Sequence, residues 1–273
     1  MKSFLKSVGI LVASLGLVAC GSNSSEGDVT TLTISATAVP HVEILEAAEE
    51  KLNEEGVNLD IIVATDYNTP NVALSGEDVD ANFFQHRPYL ESQMNENNYN
   101  FVEAAAIHLE PMGLYSPTYN SLEELPENAT VLMSDSVADQ GRVFSLLHEA
   151  GLITLEGGTS VDASEQDIIE NSLNLQFKTS GVDANMLTTA YNSNEADIIA
   201  INSNFAIGAG MDPLEDSIFI EEANEENPFV NLIVVRDGDE NNQAIQTLVK
   251  VLQSDEIKSF IEDSYEGAVV PVE

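Results

Sequence analysis

Positively charged residues are scarce in this sequence. Of its 273 residues, nine are Lys or Arg and 47 are Asp or Glu, so the formal net charge at pH 7 is −38. Nucleic acids and anionic membrane surfaces attract proteins through basic patches, because their phosphates must be neutralised. The charge therefore excludes a nucleic-acid partner and predicts a solvated acidic surface.

Cysteine and the common catalytic motifs are also scarce or missing. Cys20 is the only cysteine, so no intrachain disulfide and no Cys-based zinc or iron–sulfur site is possible. The sequence has no Gly-x-Ser-x-Gly elbow, no Walker loop and no Gly-x-Gly-x-x-Gly. No nucleophile or general base stands out, so we expect a protein that is not an enzyme, without a cofactor or a resident metal.

The beginning of the chain has the pattern of a targeting segment. Within residues 1–19, Lys2 and Lys6 precede an apolar run that is too short to predict a membrane-spanning helix. Small residues then lead into Cys20, which resembles the lipobox of bacterial lipoproteins. We predict a signal peptide at 1–19, acylation of Cys20, and a flexible tether at 20–29 that holds the protein on the outer face of the cell membrane. An ordinary secretory signal with an incidental cysteine is the alternative.

Strand-like and helix-like segments alternate along the rest of the chain. Apolar strand patterns at 31–36, 59–64 and 81–84 are separated by helical patterns, and this order predicts a mostly parallel sheet flanked by helices. Similar strand patterns return at 130–133, 175–177, 197–201 and 231–235. We predict an α/β fold with two lobes, one formed by residues 30–114 and 226–273 and the other by residues 115–225.

Polar side chains cluster where several predicted strands end. Phe84 and His86 end one strand, Tyr67 follows another, and Asn202 and Asn204 follow a third. The carboxyl ends of strands in open α/β sheets face the ligand crevice, so we expect these residues to line a cleft.

Each of the few arginines is expected to have a specific partner. In most proteins an arginine is a surface residue, but cations are rare here, and Arg87, Arg142 and Arg236 therefore stand out. Arg142 follows the polar loop 135–141 at the start of a predicted helix, where it could bind a ligand carboxylate in a bidentate manner.

Several blocks of the sequence resemble the NlpA/MetQ-type methionine-binding lipoproteins, which are the substrate-binding components of methionine ABC importers. The blocks are residues 36–45 (ATAVPHVEIL), 66–67 (DY), 80–86 (DANFFQH), 110–116 (EPMGLYS) and 267–271 (GAVVP). The resemblance extends from about residue 31 to the end of the chain.

This resemblance implies a type II periplasmic-binding fold, whose lobes close over one ligand without covalent chemistry. It implies L-methionine or a close analogue as the ligand, and a membrane permease with a cytoplasmic ATPase as partners. It also assigns the pocket: Tyr67, Phe84 and His86 from the first lobe, Arg142 on the ligand carboxylate, Asn202 and Asn204 on its polar end, and His108 and Glu110 as further candidates near the cleft.

The sequence departs from the family pattern beside Arg142, and two rival ligands remain open. Asp139 stands where the family commonly has Asn, so an acid is expected near the ligand carboxylate. A methionine-containing dipeptide is one rival ligand. A zinc or manganese ion is the other, since the chain has four histidines, although no pair of them has metal-ligand spacing on a helix.

Overall fold

The structure is a computed structural model that describes residues 29–224 and 227–272. The predicted signal peptide, Cys20 and nearly all of the predicted tether therefore lie outside the described residues. None of the helices in the described ranges is long and apolar enough to cross a membrane.

The larger sheet has six strands from both ends of the described chain. They are β1 (Thr30–Thr37), β2 (Val57–Ala64), β3 (Ala81–His86), β4 (Phe101–Leu109), β12 (Val230–Arg236) and β13 (Val270–Pro271). Their order across the sheet is β13-β4-β12-β3-β1-β2. β1 pairs in parallel with β2 and β3, whereas β12 runs antiparallel between β3 and β4. The carboxyl ends of β1 to β4 consequently meet at one edge, together with the amino end of β12.

The second sheet has five strands from the middle of the chain. They are β5 (Gly113–Tyr115), β6 (Thr130–Leu132), β9 (Gln176–Lys178), β10 (Ile198–Ile201) and β11 (Phe219–Ile220), in the order β11-β5-β10-β6-β9. β6, β9 and β10 are parallel, and β5 is antiparallel to its neighbours. A small hairpin of β7 (Thr154–Leu155) and β8 (Ile168–Glu170) lies beside this sheet. The chain crosses between the sheets at 110–112 and returns between β11 and β12.

The two-lobed α/β fold predicted from the sequence is confirmed, but each sheet is mixed. The parallel strands are those linked by helical crossovers, as predicted. β5 and β12 each follow a crossing from the other lobe, so no helix of their own lobe leads into them. Both strands pair antiparallel with their neighbours.

Helices cover both sheets. They are α1 (Glu43–Glu54), α2 (Thr69–Ser75), α3 (Arg87–Asn97), α4 (Val137–Glu149), α5 (Leu187–Asn192), α6 (Ser203–Gly208), α7 (Pro213–Asp216), α8 (Gln243–Leu252) and α9 (Asp255–Tyr265). Ser136 caps α4 by accepting a hydrogen bond from the backbone N–H of Asp139, as a serine at this position is expected to do. Ser254 precedes α9 in the same way, but its hydroxyl makes no capping bond.

The central strands of each sheet are buried on both faces, which explains their nearly continuous apolar sequences, whereas the edge strand β2 exposes Ile62 and Val63. In β12, Ile233 and Val235 pack against α1, α8 and α9, whereas Leu232 and Val234 pack with Leu74 and Leu90 on the opposite face. The same alternation divides β10 between two cores in the second lobe. The carboxyl edges of the two sheets carry the candidate site.

Candidate ligand-binding site

A cavity lies between the two lobes where the carboxyl ends of both sheets face each other. The empty space there measures about 370 Å³, a volume that includes space open to solvent. Its walls comprise Tyr67, Phe84, Gln85, His86, Tyr89, Glu110 and Asn231 from the first lobe and its crossing segment, and Arg142, Asn202, Ser203 and Asn204 from the second. Arg142 and Glu110 are the charged groups among these described lining residues, if histidine is counted as neutral.

Aromatic rings form the wall of the cavity in the first lobe. The Tyr67 ring lies 5.9 Å from the rings of both Phe84 and Tyr89, and 4.9 Å from Phe205 of the second lobe. Tyr89 donates a hydrogen bond from its hydroxyl to the Tyr67 carbonyl oxygen at 3.1 Å. These faces offer apolar contact and sulfur–aromatic contact to a ligand side chain.

Side-chain hydrogen bonds join the lobes across the cavity. The Tyr67 hydroxyl donates to Asn204 Oδ1 at 2.7 Å. His86 Nδ1 accepts from the backbone N–H of Tyr89 at 3.2 Å, so His86 Nε2 carries a proton and donates it to Asp139 Oδ1, also at 3.2 Å. The structure is therefore a closed arrangement of the lobes.

Asp139, which departs from the family pattern, does not line the cavity. It is buried behind His86 and also accepts a hydrogen bond from the Ser134 hydroxyl at 3.1 Å. Burial tends to raise the pKa of Asp139, but the hydrogen bond from His86 and the nearby charge of Arg142 bring it below the ordinary value. The acid thus binds His86 across the cleft instead of facing the ligand space.

Arg142 is buried and is held on three sides. Its Nε donates to Glu221 Oε1 at 3.2 Å, and its Nη2 donates to Glu221 Oε2 at 2.5 Å and to the Glu110 carbonyl oxygen at 2.6 Å. Its guanidinium carbon lies 4.4 Å from the centre of the Phe229 ring. Glu221 occupies one edge of the guanidinium. Nη1 makes no hydrogen bond within the described residues and is the donor that remains for a ligand.

Glu110 is the acid on the cavity wall, and two histidines lie behind it. His108 Nε2 is 2.8 Å and His41 Nε2 is 3.4 Å from Glu110 Oε1, and all three side chains are buried. Burial raises the pKa of Glu110 and lowers the pKa of His41 to about 4 and of His108 to about 3. Both histidines are therefore neutral near pH 7.

The same three groups are the metal-ligand candidates of the described chain, because their donor atoms lie within 4.8 Å of one another. A metal bound at His108 Nε2 would force the ring proton onto Nδ1, which is buried and has no partner among the described residues. A buried N–H without an acceptor is costly, whereas a bare Nδ1 is tolerated better. The geometry fits a neutral His108 Nε2–H donor on the Glu110 carboxylate, with His41 Nε2 bonded to Asn231, better than it fits a metal site.

The structure brings most of the residues singled out in the sequence to one cavity. Those on the wall are Tyr67, Phe84, His86, Glu110, Arg142, Asn202 and Asn204. His108 is an exception, since it lies behind Glu110 and lines no part of the cavity. His108 is still within β4 and packs against the rings of His41 and Phe83, whereas Glu110 follows the end of that strand and reaches the cleft.

Sequence reasoning missed Asn231, Tyr89 and Glu221. Asn231 lies at the amino end of an antiparallel strand, beside His86 and His108 of the neighbouring strands. A single polar residue in the apolar run 229–235 was a signal for it. Glu221 lies in the return crossing, where many acids stand together and nothing in the sequence distinguishes one from another.

Comparison with known proteins gives consistent results. The family model for the NlpA lipoprotein family matches residues 32–273. The Methionine-binding lipoprotein MetQ of Bacillus subtilis (strain 168) is 44% identical over 275 residues, which cover 100% of this chain and 99% of the relative. A nutrient binding protein from Burkholderia cenocepacia bound to methionine is 34% identical with a TM-score of 0.81, covering 88% of this chain and 99% of that one. A periplasmic substrate-binding protein of an ABC transporter from Coxiella burnetii is 33% identical with a TM-score of 0.81, covering 88% of this chain and 100% of that one.

Proposed function

Because the chain belongs to the NlpA lipoprotein family, we propose that it is the substrate-binding lipoprotein of an ABC importer that captures L-methionine, or a close analogue, between its lobes. Its relatives are substrate-binding proteins rather than enzymes, and one solved relative holds methionine. The protein delivers its ligand to a membrane permease that is driven by a cytoplasmic ATPase.

The observation that carries this proposal is the pair of opposite charges on the cavity wall. Arg142 offers a guanidinium from the second lobe, and Glu110 offers a carboxylate from the crossing segment. An amino acid is a zwitterion, so its carboxylate and ammonium complement these two groups. Asn202, Asn204 and Asn231 can donate and accept hydrogen bonds beside them.

The rest of the cavity suits a flexible apolar side chain that contains sulfur. Tyr67, Phe84 and Tyr89 surround the space with aromatic rings. A thioether is polarisable and gains about 0.3–1.5 kcal/mol from each sulfur–aromatic contact. This favours methionine over polar or charged amino acids.

Ligand binding drives closure of the lobes in this mechanism. Contacts from both lobes to one ligand exist only in the closed form, so the ligand shifts the population toward that form. The closed form then docks on the permease. The acylated Cys20 and the tether keep the protein at the outer face of the membrane, next to its transporter.

A charge-matched pair of variants tests the role of Arg142. Changing Arg142 alone would strand Glu221, so the test compares Glu221→Gln with the double variant Arg142→Met/Glu221→Gln. Loss of the guanidinium should weaken methionine binding by about 2–5 kcal/mol, which is about 30-fold to several thousandfold in Kd, relative to Glu221→Gln. Isothermal titration calorimetry measures the affinities.

The control for this test is the surface pair Arg87–Glu103, which is bidentate and outside the cavity. The double variant Arg87→Met/Glu103→Gln should bind methionine like the unmodified protein. If the Arg142 double variant stays within tenfold of Glu221→Gln, Arg142 does not bind the ligand carboxylate. Titration with zinc, manganese and methionine-containing dipeptides in the same instrument distinguishes the rival ligands.

A further inference from the structure

His41 and His108 form a buried pair behind the cavity that ligand contact does not explain. His108 is on β4, and His41 is in the short helical turn Ala38–Val42 that follows β1. The two rings are 4.9 Å apart, and each packs edge-on against Phe83. Two imidazoles are expensive to bury, yet both aim Nε2 at the same oxygen of Glu110.

The hydrogen-bond partners determine which ring nitrogen carries the proton. His41 Nε2 faces Asn231 Oδ1 at 3.1 Å and Glu110 Oε1 at 3.4 Å, and both oxygens are acceptors. Its Nδ1 is 2.8 Å from the Thr37 hydroxyl, which can donate. His108 Nδ1 has no partner within the described residues, so the proton of this ring belongs on Nε2, 2.8 Å from Glu110 Oε1. His108 is then a neutral donor to Glu110, and His41 is a neutral donor to Asn231 whose Nε2 also lies 3.4 Å from Glu110 Oε1.

Neutral donors do what a lysine or arginine at the same place could not do. A cation would pair with Glu110 and cancel its charge, whereas a neutral N–H orients the carboxylate and stabilises the anion while its charge remains available. Burial works against that anion, since it raises the pKa of Glu110. The backbone N–H of Asn204, from the opposite lobe, counteracts burial and lowers that pKa.

We propose that His41 and His108 are positioning residues that hold Glu110 on the cavity wall as an anion for the cationic nitrogen of the ligand. This inference rests on the proposed function and specifies its substrate class. The ligand must carry a free ammonium group, because a ligand without one leaves a buried carboxylate unpaired. The histidines therefore affect which ligands are preferred, although they do not contact the ligand themselves.

The test compares two ligands that differ in the ammonium group alone. L-Methionine is compared with methylthiobutyrate, which keeps the carboxylate and the thioether. The measured quantity is the ratio of their Kd values by isothermal titration calorimetry, with the full chain. We expect the unmodified protein to prefer methionine by about 100-fold or more, and Glu110→Gln to lose most of that preference.

The histidine variants separate positioning from support of the fold. His108→Met removes the donor at similar size and should reduce the preference about tenfold or more. His108→Gln places an N–H near the former Nε2 and should retain most of the preference. A role in folding alone would weaken both ligands equally and leave the ratio unchanged. His148→Gln, which lies on α4 away from the cavity, is the matched control.

His41→Met and His41→Gln repeat the comparison, so the proposal stays testable if a His108 variant does not fold. An unchanged ratio in the Met variants would overturn the positioning role while leaving methionine binding intact. Failure of the unmodified protein to bind methionine would instead overturn the proposed function, and the positioning role with it. If chelator removes binding and zinc restores it, the cluster is a metal site and the positioning role is wrong.

Discussion

Each arginine that stands out in the sequence has a distinct partner in the structure. Arg87 makes a bidentate surface pair with Glu103, and Arg236 donates from Nη1 to the carbonyl oxygens of Leu74 and Val79. Arg142 alone of these three lines the cavity. The scarcity of cations therefore identified residues with specific roles, but burial and partners were needed to tell a ligand contact from a structural one.

Phe83 and Phe84 show that predicting the role of a residue depends on which face of the strand its side chain points to. The two neighbours are both buried in β3, yet Phe84 faces the cavity while Phe83 packs against His41 and His108. Successive side chains in a strand point to opposite faces, so one position decides between site and core. The assignment of Phe84 as a ligand contact stays a prediction.

The buried histidines predict how stability depends on pH. The pKa values of His41 and His108 are about 4 and about 3 in the folded chain, against 6.5 when unfolded. Below pH 6.5 the unfolded chain binds more protons, so the free energy of unfolding should fall as the pH decreases toward 4. Each histidine contributes up to about 1.4 kcal/mol per pH unit. Glu110, whose pKa is raised, acts in the opposite direction and offsets part of this loss.

The contribution of one histidine can be measured by difference. Urea unfolding between pH 6.5 and 4.5 should give a slope that is smaller by about 1 kcal/mol per pH unit in His108→Gln than in the unmodified protein. Equal slopes in the two proteins would mean that His108 does not remain neutral in the folded chain.

At the scale of elements, the edges of the two sheets create the site. β1 to β4 run in one direction, so the turns after them reach a common edge, and β12 brings Asn231 to that edge because it runs the other way. Alternation of strands and helices predicted the parallel part of this arrangement. β12 comes from late in the chain and pairs antiparallel with β3 and β4, and no local sequence pattern indicates this pairing. For that reason the sequence did not predict Asn231 at the site.

Helix α4, which carries Asp139 and Arg142, depends on one close contact. A Cβ atom on Gly141 would lie 1.9 Å from the carbonyl oxygen of Val161, so α4 approaches the 161–163 loop too closely for any side chain. Gly141→Ala should therefore lower the free energy of unfolding by about 1–3 kcal/mol or more, and should also weaken methionine binding by displacing Arg142.

Gly208 provides the matched control for this change. It is also helical, in α6, but a Cβ atom there meets nothing within 4 Å. Gly208→Ala should be neutral or stabilise the protein by up to about 1 kcal/mol, since alanine favours helix. Denaturant melts of both variants decide the point. A Gly141→Ala protein as stable as Gly208→Ala would show that α4 moves away without cost.

At the scale of the whole molecule, charge is divided between surface and cleft. The net charge of −38 is compatible with folding because nearly all acids stay in solvent. In residues 29–224 and 227–272, the buried Asp, Glu, Arg and His side chains are Glu110, Asp139, Arg142, His41, His86 and His108. All of them lie on the cavity wall or directly behind it, so the buried ionisable side chains are concentrated at one site.

The lipid anchor is a prediction about the whole molecule in its cell. Cys20 lies outside the described residues, and the proposal rests on the sequence before it and on relatives that are lipoproteins. Labelled palmitate should be incorporated into the protein and should be absent from Cys20→Ala. A Cys20→Ala protein that still takes up label would contradict acylation at this residue.

The sequence by itself determined the family, the two-lobed α/β fold and most of the cavity wall. Strand periodicity and the blocks around His86 and Glu110 are local, and local patterns are visible without coordinates. Tertiary structure alone decided that Asp139 turns to His86, that Glu221 holds Arg142, and that His41 and His108 meet at Glu110. His86 and Asp139 lie 53 positions apart in the chain, and Arg142 and Glu221 lie 79 positions apart. No local pattern encodes such contacts, because they arise when the crossings bring two sheet edges together.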